Sequence, residues 1–123
     1  MRLLLDTHAA VWWVTDDPRL SQRAGEAIDD PGNERLLSAA SVWELTIKRK
    51  AGKYTGVDLH DVLQTADIAE VPITAAHGRF AADLPLVHGD PFDRVIVAQA
   101  MLERCVLVTG DPRLREYGCA VLW

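Results

Sequence analysis

The chain has 123 residues, 49% of them apolar and 25% charged, with a formal net charge of −5. That length fits one domain built on one core, residues 1–123. The acidic balance excludes a protein that grips nucleic acid through bulk positive charge, though not a nucleic-acid substrate, because an acidic metal site can dominate the count.

In chain order, Arg2–Leu5 is a short apolar run that predicts a buried strand ending at Asp6. The break at Asp6 argues against a signal peptide, and no stretch approaches membrane-spanning length, so a cytoplasmic protein without a membrane anchor is expected. Asp6-Thr7 offers a cap for a helix through Ala9–Val14, and Asp16-Asp17-Pro18 is a turn. Ser21 caps an amphipathic helix to about Ile28, with Ala24, Ala27 and Ile28 inward. Asp30-Pro31-Gly32-Asn33 is a loop. A second strand covers residues 35–38. The segment 40–50 then reads as a helix stopped by Gly52. A fourth helix is expected over 59–68, a brief strand over 71–73, and a further helix over 74–82, with His60 and His77 facing solvent. Asp90 followed by Pro91 starts a helix that is apolar nearly all round and therefore buried, running to about Arg104. The run 105–109 is a β-branched strand, 112–117 a turn or short helix, and 119–122 the last strand. Cys105 and Cys119 have neither metal-ligand nor redox spacing and read as small hydrophobes in a reducing compartment. Strands alternating with helices imply a mainly parallel α/β sheet covered on both faces.

Four acids stand out in this order. Asp6 and Asp111 follow strands, and Glu44 and Asp93 are expected in first helical turns. In open α/β sheets such positions gather beyond the carboxyl ends of the strands. Each acid alone has an ordinary explanation as a cap: Ser41-x-x-Glu44 reads as a capping box, and Asp90 with Asp93 reads the same way. Together they strain that explanation. Two carboxylates about 4 Å apart repel by roughly 4 kcal/mol at an effective dielectric of about 20, and helix termini offset only about 1 kcal/mol each. A divalent cation removes the conflict. With no Cys/His cluster, an all-oxygen site favours Mg²⁺ or Mn²⁺, ions that commonly handle phosphate esters.

The segments LLLDTHAAVWW (3–13), SAASVWELTIK (38–48), HGDPFDRVIVAQA (88–100) and LVTGD (107–111) resemble, in order and along nearly the full length, the PIN-domain ribonucleases, and within them the VapC-type toxins of toxin–antitoxin pairs. The resemblance implies a PIN-like α/β/α sandwich, a homodimer, a cognate antitoxin partner, and endonucleolytic hydrolysis of RNA dependent on Mg²⁺ or Mn²⁺. It implies Asp6, Glu44, Asp93 and Asp111 as the catalytic acids. Asp6 and Asp93 would hold the principal ion, and Glu44 and Asp111 would complete the site directly or through water. With water as nucleophile, the products would carry a 5′-phosphate and a 3′-hydroxyl.

Around these acids, Asp90, Thr7 and Thr109 are candidates for an outer shell that orients the ligands. His8 and His88 read as local hydrogen-bonding residues or as contacts to phosphate. Lys48, Arg49 and Lys50, with Lys53, form a basic cluster whose plain role is to complement a helix C-terminus and whose functional role is an RNA backbone contact; Arg94 and Arg113 are further candidates for that contact. Trp12, Trp13 and Trp43 read as core or dimer contacts in preference to base-stacking platforms. Two other functions fit the same elements: a non-catalytic protein-binding module of this fold, and a receiver-type phosphoacceptor domain. The second would want an acid beside Asp6, where Leu5 and Thr7 stand.

Overall fold

Leu3, Leu4 and Leu5 are all fully buried, yet they do not share a core. They form strand β1 (Arg2–Leu5), and successive strand residues point to opposite faces. Leu3 and Leu5 join one apolar cluster while Leu4 joins the other. A strand with both faces buried must be covered by helices on both sides, which the rest of the chain supplies. In this computed structural model, which describes residues 1–123, five strands and seven helices follow in sequence.

After β1 come α1 (Thr7–Val14), α2 (Gln22–Asp29) and β2 (Glu34–Ser38). Then follow α3 (Ala39–Lys50), α4 (Leu59–Thr65), β3 (Ala69–Val71) and α5 (Ala75–Asp83). The chain closes with α6 (Pro91–Leu102), β4 (Val106–Val108), α7 (Pro112–Arg115) and β5 (Val121–Leu122). The sheet order is β3-β2-β1-β4-β5, and every pairing is parallel. One face packs Ala9, Ala24, Ile28, Leu45 and Leu59 over Leu3, Leu5 and Leu37. The other packs Ile96, Val97 and Ala100 of α6 over Leu4, Leu36 and Leu107. This is the expected α/β/α sandwich. Its strand order differs from the 2-1-3-4-5 of receiver domains, which removes that alternative.

The departures from the sequence reading are local. Residues 69–71, not 71–73, form β3, because Pro72 has no amide to give the ladder and Thr74 is already committed as the cap of α5. Helix α4 stops at Thr65, short of Ile68. His77 is buried, not solvent-facing: it is the third residue of α5, its Nδ1 accepts the Thr74 amide at 3.0 Å, and its Nε2 lies 2.8 Å from Glu103 Oε1. A histidine can replace the usual Glu of a capping box when its ring nitrogen reaches the cap amide. No helix is long and apolar enough to cross a membrane.

The topology fixes where a site can form. The chain moves outward from β1 to β2 and β3, then crosses back to place β4 on the other side of β1. A crevice opens beyond the carboxyl ends of strands where the winding reverses in this way. Asp6 follows β1, α3 leaves the end of β2, and Asp111 lies just past the end of β4.

Candidate active site

Asp6 is the residue on which the site is built. It follows β1 directly and caps α1, with Oδ1 accepting the Ala9 amide at 2.7 Å. It is only 7% exposed. Burial pushes its carboxyl above the usual range, and the Thr109 hydroxyl and the Ala9 amide offset part of that.

Glu44 arrives by a route the sequence reading misassigned. The cap of α3 is Ser38, whose Oγ accepts the Ala40 amide at 3.0 Å, and not Ser41. The helix therefore starts as soon as β2 ends, and Glu44 lies in its second turn, where no capping role remains for it. Ser41, Glu44 and Lys48 then share one helix face at spacings of three and four. Thr7 Oγ1 lies 2.8 Å from Glu44 Oε1 and 2.9 Å from Ser41 Oγ. Lys48 Nζ lies 3.1 Å from Glu44 Oε2. Both oxygens of this buried carboxylate are thus engaged, and Thr7 orients Glu44, its hydroxyl reaching across from α1 to α3.

Asp93 stands in the first turn of α6. Asp90 caps that helix, its Oδ1 accepting the amides of Phe92 at 2.9 Å and Asp93 at 3.4 Å. The half of the expected motif in which Asp93 would reach back is absent. The Asp90 amide donates to His88 Nδ1 at 3.3 Å, and the Asp93 carboxylate turns toward His88. His88 Nε2 comes within 2.9 Å of Asp93 Oδ2, out of line for a hydrogen bond. Asp93 is raised to about 6, first by burial and then by the charges of Asp90, Glu44 and Asp6, with His88 acting the other way. One ligand atom each from His88, Asp90 and Asp93 fits within a 4.8 Å cluster.

Asp111 caps the short α7, and Arg113 grips it twice, Nε to Oδ1 at 3.1 Å and Nη2 to Oδ2 at 2.8 Å. That guanidinium holds Asp111 below the usual carboxylate range. Thr109 is fully buried at the end of β4, and its hydroxyl accepts the Asp111 amide at 3.1 Å. It thereby ties Asp6 to Asp111.

Asp6, Glu44, Asp93 and Asp111 meet in one pocket of about 130 Å³, with Thr7, Asp90, Lys48 and Arg113 also on its wall. Five carboxylates face two cations there. Most donors are hard oxygens, with the His88 ring beside Asp93; Asp6 and Glu44 are buried, and burial first, then the charges of Asp90, Glu44 and Asp6, hold Asp93 above its ordinary pKa. That arrangement fits a hard divalent cation and fits a thiolate-seeking ion poorly.

The basic candidates divide. Lys48 and Arg113 line the pocket. Arg49 donates to the Gly56 carbonyl and lies over the Tyr54 ring, and Lys50 is exposed at the far end of α3. Arg94 corrects the expectation of an RNA contact. Its half-buried guanidinium donates to the carbonyls of Ala81, Leu84, Pro85 and His88, and so ties the loop before α6 to α5.

The whole chain has counterparts of the same design. The model of the PIN domain family matches residues 3–118. Ribonuclease VapC22 of Mycobacterium tuberculosis is 34% identical over 119 residues, covering 94% of this chain and 91% of that protein. VapBC2 from Rickettsia felis, bound to a DNA fragment from its promoter, matches with a TM-score of 0.71 at 16% identity over 99% of this chain and 98% of that one. FitAcB from Neisseria gonorrhoeae matches with a TM-score of 0.67 at 19% identity over 98% and 96%. The fold, the order of the acids along it and these likenesses agree: the chain belongs to the PIN-domain family, as a VapC-type member.

Proposed function

We propose that the chain is a divalent-metal-dependent endoribonuclease and the toxin of a toxin–antitoxin pair. The observation that carries this reading is the convergence of four carboxylates, from segments 38 to 105 residues apart in sequence from Asp6, in one pocket at the winding reversal of the sheet. The ribonuclease relative and the fold it shares support the same chemistry.

Asp6 and Asp93 hold the ion, because each keeps an oxygen free of the short donor bonds that occupy Glu44 and Asp111. Glu44 and Asp111, fixed by Thr7, Lys48 and Arg113, complete the charge and orient water at the rim. A bound Mg²⁺ or Mn²⁺ would supply an acidified water and neutralise charge on the departing oxygen. The side chains do the rest. One of the pocket carboxylates takes the proton of the attacking water, and Lys48 and Arg113 meet the phosphate. Attack by water leaves a 5′-phosphate and a 3′-hydroxyl.

Two solved relatives support a partner. VapBC2 is a complex described with promoter DNA, and FitAcB shares the fold. An antitoxin for this chain would cover the acidic pocket with a basic side chain, and the toxin would pair as a homodimer acting in the cytoplasm. The test is cleavage of cellular RNA by the purified protein with Mg²⁺ or Mn²⁺ against EDTA, in wild type and in Asp6→Asn. Cleavage that needs the ion and is lost in Asp6→Asn is expected. A folded wild type that cuts no RNA with either ion, or an active Asp6→Asn, overturns the proposal.

A further inference from the structure

Beside the acidic pocket lies a second cleft, of about 360 Å³, that shares Asp6, His8 and Asp111 with it. Its other walls include Trp12, Trp123 and Arg19. The volume falls within the range of small-ligand sites, roughly 300–1,000 Å³. The indoles of Trp12 and Trp123 stand 5.9 Å apart at 57°, and the His8 ring lies 5.6 Å from Trp12. Arg19 sits over the Trp12 ring at 4.9 Å from its centre, and Asp17 fixes it there at 2.8 Å.

Two features mark this as more than leftover surface. Trp12 packs into neither hydrophobic core, although it is among the largest side chains of α1. And Trp123 is laid directly on the turn that carries Asp111. A Cβ on Gly110 would come within 2.7 Å of the Trp123 ring, so the glycine is there for room. The cleft is therefore an aromatic wall built against the acids.

We propose that this cleft seats one unpaired RNA base, with its ribose, next to the phosphodiester held at the carboxylates. It rests on the ribonuclease reading and adds the seat of the base beside the cut, against Trp12 and Trp123. Five carboxylates against two cations repel the RNA backbone, so contacts to base faces add affinity that Lys48, Arg113 and a bound ion supply only in part. Aromatic walls accept any base by stacking, and only an unpaired base has its faces free. His8 and Arg19 supply N–H donors at the edge, where the adjoining phosphate leaves the cleft.

The test takes a short single-stranded RNA that the wild type cuts, drawn from a random-sequence pool, and the same RNA with abasic sites scanned across the positions flanking the cut. In the wild type, one abasic position next to the cut is expected to raise KM about 5- to 150-fold, the range of one lost stacking contact. Trp12→Leu should raise KM on the intact RNA similarly, Trp12→Phe should restore most of it, and Trp12→Leu with the abasic RNA should be no worse than either change alone. Additive effects, or a folded Trp12→Leu with unchanged KM, overturn the cleft while the nuclease reading stands. If the wild type cuts nothing in the pool, that reading falls. The cleft is then judged by the anisotropy of the labelled pool on binding the protein: weaker binding by a folded Trp12→Leu supports it, and equal binding overturns it.

Discussion

A single aspartate carries much of the electrostatic tension in this protein. Asp93 is raised to about 6, from an ordinary 3.8, by burial and by Asp90, Glu44 and Asp6. Between those two values the folded protein binds a proton that the unfolded chain does not, so stability falls as pH rises through that window. Asp6, also raised, acts in the same sense. In EDTA the protein should therefore melt higher near pH 5 than near pH 7.5, by the equivalent of about 1–2 kcal/mol once solvent screening is allowed for. Mg²⁺ should lift the melting temperature near pH 7.5 and do far less near pH 5, where Asp93 keeps its proton. Melting curves at the two pH values, with and without the ion, check both statements. Thr7 gives a second prediction. It is buried and meets both Glu44 and Ser41. Thr7→Val leaves buried polar atoms unpartnered and should cost about 1–3 kcal/mol in denaturant unfolding. It should also lower kcat more than it raises KM, because Glu44 loses its fixed orientation while the RNA-facing surface is intact.

At the scale of elements, α3 and α6 show what the sequence discloses and what it withholds. The start of α6 is legible in Asp90-Pro91 because both residues act locally: the carboxylate accepts amides two and three residues on, and proline suits the first turn. The start of α3 is ambiguous because Ser38 and Ser41 are both competent caps. The tie is broken by a non-local fact. Ser41 is taken by Thr7, so Ser38, fully buried at the end of β2, does the capping. The spacing of Ser41, Glu44 and Lys48 was the available signal, since all fall on one face once the helix begins early. Ser38→Ala should cost about 0.5–2 kcal/mol. It should also reduce cleavage, because the cap sets the turn from which Glu44 projects. Arg94 makes the same point in reverse. An arginine next to a candidate catalytic acid reads as a phosphate contact, but four carbonyls from residues 81–88 claim it. Arg94→Ala should therefore destabilise the fold by about 3 kcal/mol or more, as several charge-assisted bonds are lost from one half-buried group. Its remaining folded fraction should show an unchanged KM for RNA. Backbone acceptors of this kind are invisible in sequence, as is the aromatic cleft, which needs Trp12 and Trp123 from opposite ends of the chain.

At the scale of the molecule, the four acids are one consequence of the winding. The order β3-β2-β1-β4-β5 puts the ends of β1, β2 and β4 side by side, and the first turn of α6 arrives over them from the second layer. The alternation of strands with helices predicts a covered parallel sheet, but not which strand sits beside which, and the crevice depends on that order. Only the pairing registers of the structure supply it. Two stacked cores, split by the alternation of Leu3, Leu4 and Leu5, hold this edge rigid enough for like charges to stay together. The proposed function rests on a shared cation that lets them stay together at neutral pH. The most direct test is a calorimetric titration of the metal-free protein with Mn²⁺ near pH 7.5, in wild type and in Asp93→Asn. We expect wild type to bind, and the folded Asp93→Asn to bind at least tenfold more weakly. Equal Mn²⁺ affinity in the two proteins, or no binding by a folded wild type, would contradict the account.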